Sequence, residues 1–280
     1  MRYAEVTIHV LDATQAALLL VDLEAMPVES VTETSEVVKA YIPEVDYREV
    51  TVADFPVAAQ VGDVKFQVSW IEHQNWNAMW ESAFDPVVIG QDVLLRAPFH
   101  QDPDPSGFRH VIEMTPKMAF GTGHHGTTYQ MLQALLDQPV EGQEVLDMGC
   151  GTGVLAVLAA YQQAKRVVGI EIDAHAADNA REIAENNGVA DQVQVITGDA
   201  SQLESQGQFD VILANINRNI LMQDLPVYAR HAKPGSALHL SGFYREDVDA
   251  LVERAKDCGY SVISEGEREG WMRLTFKYAE

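Results

Sequence analysis

Polar and apolar residues alternate from Arg2 to Val10, the period of a strand with one buried face. Ala13 to Leu23 is dense in helix formers, and Val28 to Thr32 and Val37 to Ile42 read as short strands. Val45 to Ala59 predicts a second helix, starting near Pro43 and interrupted at Pro56. Val64 to Ile71 (VKFQVSWI) returns to alternation. The order β-α-β-β-α-β predicts a small ferredoxin-like α+β domain over residues 1–73, with no cofactor motif in it.

Trp76, Trp80 and Phe84 recur every four residues and so share one face of a predicted connector helix over residues 74–90. That stripe reads as packing, docking one domain onto the other. Asp92 to Phe99 and Phe108 to Met114 predict two strands joined by the turn HQDPDPSG. Further on, apolar strands and helices alternate: a strand ending at Met148, a helix over Val154 to Tyr161, a strand over Arg166 to Ile172, a helix over Ala174 to Asn187, and strands over Val193 to Gly198 and Phe209 to Ile216. Leu221 to His231 and Asp247 to Asp257 read as helices around a strand at Ala237 to Phe243. Tyr260 to Glu265 and Trp271 to Tyr278 then follow each other with only EREG between them, which predicts an antiparallel hairpin. Residues 91–280 are thus expected to form an α/β domain with a seven-stranded, Rossmann-like sheet whose last strand is inserted backwards. That is the usual architecture of S-adenosylmethionine-dependent methyltransferases.

The chemistry centres on EVLDMGCGTG, Glu144 to Gly153. Gly149, Gly151 and Gly153 crowd a turn between a strand and a helix, where a residue without Cβ lets backbone pass close to a ligand and tolerates positive φ. The spacing G-x-G-x-G differs from the G-x-G-x-x-G that wraps a pyrophosphate, and with Asp147 just ahead it suits a ligand with an amino-acid end and a nucleoside end. S-adenosyl-L-methionine is such a ligand. Glu171, at the end of the next strand, is placed to accept hydrogen bonds from both ribose hydroxyls. Asp199 with Ala200 ends the third strand, where a carboxylate and adjacent backbone meet an adenine edge or where Asp199 caps a helix. Asn215 ends the fourth strand beside the expected reversal of strand order, where its amide reads as a contact to cofactor or substrate or as a turn-forming asparagine; it is the candidate catalytic, orienting group.

In the loop MAFGTGHHGTT, Thr127 and Thr128 stand where a helix begins, so their hydroxyls read equally as caps or as ligand contacts. His124 and His125 read as a base, a metal pair or polar loop residues; adjacent histidines do not converge on one ion, and no metal site is expected.

Composition narrows the partners. The 280 residues carry a formal charge of −23 and a pI of about 4.6, which disfavours a nucleic-acid backbone and favours a basic protein. Over Met1 to His73, 13 acidic side chains against 4 basic ones leave −9, so the first domain reads as a recognition module or simply as an acidic, solubilising surface. Two cysteines, Cys150 and Cys258, give no disulfide framework and suggest a reducing compartment. Without a secretory leader pattern or a long apolar run, a soluble, cytoplasmic monomer with no membrane partner is expected.

Taken together, NWNAMWESAF, AFGTGHHGTT, LDMGCGTG and ANINRN resemble the bacterial ribosomal protein methyltransferase family, PrmA, along the whole chain. The resemblance implies a cofactor site at Thr128, Gly149, Glu171 and Asn215, and methylation of lysine ε-amines or the N-terminal α-amine of protein eleven of the large ribosomal subunit. Where the family usually has Thr-His-Pro this chain has His124-His125-Gly126, and Glu171 replaces the commoner Asp. Two rival readings are a methyltransferase of nucleic-acid amines and a non-catalytic, cofactor-binding adaptor. The absent Asn-Pro-Pro motif opposes the first, and the intact glycines and Glu171 oppose the second.

Overall fold

The computed structural model describes residues 2–34, 37–72, 85–115 and 120–279. It divides into two compact units, residues 1–83 and 84–280. The predicted connector over 74–90 falls largely outside the described residues, including Trp76, Trp80 and Phe84. Its last part is not helical. Val87–Ile89 (β5) is a strand, because three successive β-branched residues pair antiparallel with Val93, Leu94 and Leu95.

In the first unit, strands β1 (Arg2–His9), β2 (Ser30–Glu33), β3 (Val37–Pro43) and β4 (Lys65–Glu72) form an antiparallel sheet in the order β2-β3-β1-β4. Helix α1 (Ala13–Glu24) starts at Asp12, whose carboxylate accepts from Gln15 N–H at 2.8 Å. It lays Ala16, Leu19 and Leu23 on the apolar face made by Ala4, Val6, Ile8, Val38, Ala40 and Ile42. The second helix expected over Val45 to Ala59 is replaced by two short 3-10 turns, Val52–Asp54 and Ala58–Gln60. Side chains take the N–H groups that a helix needs. Asp22 of α1 accepts from Val57 and Ala58 at 2.9–3.1 Å, Asp54 accepts from Thr51 at 2.7 Å, and Pro56 has no N–H to give.

The second unit holds a small sheet of β5, β6 (Val93–Arg96) and β7 (His110–Glu113). The runs around HQDPDPSG pair parallel, not as a hairpin, since the connection carries the chain back before β7 begins. The main sheet comprises β8 (Glu144–Met148), β9 (Arg166–Glu171), β10 (Val193–Thr197), β11 (Phe209–Asn215), β12 (Ala232–Tyr244), β13 (Tyr260–Arg268) and β14 (Trp271–Tyr278), in the order β10-β9-β8-β11-β12-β14-β13. The first five are parallel, and β14 runs antiparallel to both its neighbours. Strand order reverses between β8 and β11, which opens a crevice at their carboxyl ends.

Helices cover both faces. Residues of α2 (Gly126–Asp137), α3 (Val154–Tyr161) and α4 (Ala174–Asn186) pack one core with Val145, and those of α5 (Arg218–Arg230) and α6 (Val248–Asp257) pack the other with Leu146 and Met148. Helix α3 is buried nearly all round, which explains its uninterrupted apolar run.

A titratable ring is among the polar groups enclosed in this sheet. His239 of β12 is buried, with Nδ1 at 3.1 Å from Thr275 Oγ1, and burial beside Arg273 pushes its pKa down to about 4. The folded state refuses a proton that the unfolded chain takes up near pH 6.5, so stability from the neutral ring is complete above that pH and falls progressively as pH drops towards 4. The loss amounts to ~3 kcal/mol. Urea unfolding at pH 7.5 and pH 5 is expected to show a steeper acid loss for the wild type than for His239→Gln; parallel pH curves for the two proteins exclude His239 as the source.

Candidate functional site

The crevice at the strand-order reversal is shaped by three glycines. Gly149, Gly151 and Gly153 have φ of 68°, 53° and 76°, a region that side chains with Cβ rarely enter. The space above two of them is also taken: a Cβ on Gly149 would lie 2.3 Å from Ile216 Cγ2, and one on Gly151 would lie 2.4 Å from the Phe120 carbonyl oxygen. The loops at Phe120 and Ile216 therefore close directly onto the turn.

Every backbone N–H of this turn is engaged within the protein. Gly149 and Cys150 donate to Ile170 O, Gly151 to Glu171 Oε2 at 2.9 Å, Thr152 to Phe120 O, and Gly153 to Cys150 O. An anion would find no free donor here, in contrast to a phosphate-binding loop. What the turn offers a ligand is close approach.

Beside it runs a cleft of about 770 Å³ lined by Gly149, Gly151, Glu171, Asp199, Ala200 and Asn215 among others. Six of the eight residues singled out in the sequence thus meet in one place. The other two stand behind the lining: Gly153 caps α3, and the buried Thr128 hydroxyl lies 3.4 Å from Asn215 Nδ2. Helix α2 begins at Gly126 and its cap is His125, so neither Thr127 nor Thr128 is the cap. Asp199 does cap the 3-10 turn that follows it, accepting from Ser201 N–H at 2.9 Å and from Ser201 Oγ at 2.6 Å, which holds its carboxyl below the usual carboxylate range.

Two features set the chemistry of the cleft. Glu171 accepts one hydrogen bond on each oxygen, from Gly151 and Asp173 N–H, and a carboxylate retains acceptor sites beyond those two. Asn215 is held by Thr128 through its nitrogen, while its Oδ1 is buried without a partner. A buried amide oxygen left unpaired costs roughly 1–3 kcal/mol, which a bound donor would recover.

The model of the ribosomal protein L11 methyltransferase (PrmA) family matches residues 5–279. The chain belongs to that family. Ribosomal protein L11 methyltransferases of Bacteroides fragilis and Phocaeicola vulgatus are 38% and 36% identical to it, each alignment covering 99% of both chains. The solved structure of a ribosomal protein L11 methylase from Lactobacillus delbrueckii subsp. bulgaricus superposes with a TM-score of 0.65 at 21% identity, over 70% of this chain and 100% of that one, and so shares the fold.

Within this L11 methyltransferase family member, several site residues were not singled out by the sequence reading. Phe120 and Ile172 line the cleft with 55% and 73% of their surface exposed, the first carried there by its loop and the second by the end of β9. Ile216 is chosen by the missing Cβ of Gly149. Asp147, read as a ligand neighbour, does not line the cleft: it is enclosed beside the turn, and neither carboxyl oxygen makes a hydrogen bond of ordinary geometry. Burial pushes its pKa up to about 7, with the nearby Glu171 charge adding.

Folded Asp147 holds its proton more tightly than the unfolded chain does, so its contribution is full below pH 3.8 and is lost as pH rises to about 7. Asp147→Asn is therefore expected to stabilise the ligand-free protein at pH 8 by up to ~4 kcal/mol and to leave it unchanged at pH 4, measured by denaturant midpoints. Gly151→Ala is expected to weaken S-adenosylmethionine binding at least ~10-fold, since the clash moves Phe120 or the turn by about an ångström. Calorimetry checks it; unchanged affinity would show that the turn is not the binding surface.

Proposed function

We propose that this chain binds S-adenosyl-L-methionine in the cleft beside Gly149 to Gly153 and methylates amines of ribosomal protein L11, the target named for its relatives. The observation that carries the reading is the unpaired, buried Oδ1 of Asn215 at the strand-order reversal, in a cleft whose glycine turn has no N–H to spare for phosphate. The donor and acceptor set fits a sulfonium nucleoside. Acceptor sites of Glu171 suit two ribose hydroxyls, exposed Ile172 and buried Ala200 give apolar walls for a base, and Asn215 Oδ1 suits an ammonium or amine hydrogen.

When bound, the cofactor supplies an electrophilic methyl group on a positively charged sulfur. The protein's part is to present a neutral amine in line with it. A free lysine has a pKa near 10.4, and an apolar, enclosed site lowers it by disfavouring the cation. The released proton goes to solvent. Thr128 fixes the Asn215 nitrogen, so Asn215 Oδ1 points to accept one N–H of the incoming amine, and this orientation is worth more than a strong base.

Residues 1–83 are assigned the recognition of the protein substrate. Their strand order supports the ferredoxin-like reading, and the charge of −9 over Met1 to His73 complements a basic ribosomal protein. The same charge argues for a protein rather than nucleic acid as target.

Asn215→Ala is expected to lower turnover ~100-fold, with cofactor affinity changed far less. Transfer of tritium from labelled S-adenosylmethionine to L11, with free lysine and oligonucleotides as alternative acceptors, measures it. Equal turnover in the variant removes Asn215 from the mechanism, and label appearing only in oligonucleotides replaces the substrate assignment.

A further inference from the structure

Four aromatic rings lie in consecutive contact beside the crevice. Tyr244 stacks on Trp271 with centroids 4.1 Å apart, Trp271 lies 4.8 Å from His125, and His125 meets Phe120 edge-on at 5.1 Å. They come from three separate places in the chain: the end of β12, the start of β14, and the loop before α2. Both ends of the row are open. Phe120 is 55% exposed and lines the cleft, and Tyr244 is 45% exposed at the surface. A row that served packing alone would bury its ends.

The row is held firmly. Gly126 stands so close to the Arg268 carbonyl oxygen that a Cβ would lie 2.8 Å from it, and Gln130 donates to the Trp271 carbonyl at 3.0 Å. Arg268 stacks over Tyr129 at 3.7 Å, fixing the β13–β14 turn against α2. His125 Nδ1 lies 2.8 Å from Thr127 Oγ1 and 3.4 Å from Thr127 N, contacts that orient the imidazole face. Phe120 and Asn215 line the same cleft, so the inner end of the row adjoins the proposed amine site. At the outer end, Glu265 and Glu267 flank Arg245 beside Tyr244 and give the rim acidic groups.

We propose that Tyr244, Trp271, His125 and Phe120 form a path that receives the substrate's ammonium group from the surface and keeps it at the site between transfers, each methyl passing from the cofactor's sulfur to the nitrogen only after the ammonium has given a proton to solvent. This rests on the methyltransferase reading above. Carboxylates attract a primary ammonium but lose hydrogen-bonding capacity towards it with each methyl, whereas aromatic faces hold mono-, di- and trimethylated ammonium through charge and apolar contact alike. A path of rings thus keeps an amine in place through repeated transfers where an acidic one would release it early.

The decisive variants are Trp271→Leu and Tyr244→Leu, with Trp271→Phe as the conservative control. With L11 as substrate, both leucine variants are expected to raise KM at least tenfold and shift product masses from higher to lower methylation, while calorimetric affinity for S-adenosylmethionine stays within twofold. Trp271→Phe is expected to restore both. A peptide carrying trimethyllysine should bind the wild type and lose at least tenfold in affinity to either leucine variant. Unchanged KM, product masses and peptide affinity in folded leucine variants would overturn the proposal. Should Trp271→Leu fail to fold, Tyr244→Leu decides, because that ring is nearly half exposed. Should the wild type label no amine of L11, the underlying function fails, and the peptide titration still judges the aromatic path by itself.

Discussion

The site depends on backbone contact at a place where no side chain fits. Phe120 O and the Ile216 methyl occupy the positions that Cβ atoms on Gly151 and Gly149 would take. Two loops distant in sequence are thereby pinned to the end of β8, and with them the walls of the cleft. The turn's N–H groups are all engaged within the protein, one of them by Phe120 O, so its surface offers no free donor. A phosphate would find no free N–H there, whereas Glu171, the Asp199–Ala200 segment and Asn215 line the cleft with acceptor and apolar edges.

The reversal of strand order between β8 and β11 gives this contact its use. Parallel strands place all their carboxyl ends on one rim, and divergence of the connections leaves that rim uncovered only at the reversal. Helix α2 enters from outside the sheet's own sequence of strands and brings Thr128 to Asn215, completing a polar pair that neither element contains alone. The antiparallel β14 then sets Trp271 beside the start of that helix, so the last hairpin of the chain contributes to the same region as its glycine turn.

Buried ionisable groups near the rim work in opposite directions. Asp147 is favoured as the neutral acid and His239 as the neutral ring, so acidification relieves the first and strains the second. Between pH 4 and 7 their effects on stability offset each other in part, and a flat pH dependence of the whole protein would conceal two steep ones.

The amino-acid sequence by itself determined the succession of elements in residues 144–279, since strands buried on both faces read as apolar runs, helices as periodic ones, and glycine spacing marks the turn. It also marked six residues of the cleft, because strand ends in an open parallel sheet converge whatever their separation in the chain. Tertiary structure decided the rest. The helix expected over Val45 to Ala59 yields to Asp22, a hydrogen-bond acceptor from another element that local propensity does not register. The strands around HQDPDPSG pair parallel for the sake of a three-stranded sheet that includes Val87–Ile89, and pairing partners are not local information. The contact between Thr128 and Asn215 and the row of rings from Phe120 to Tyr244 join residues as far apart as His125 and Trp271, where only the folded chain brings side chains within reach of one another.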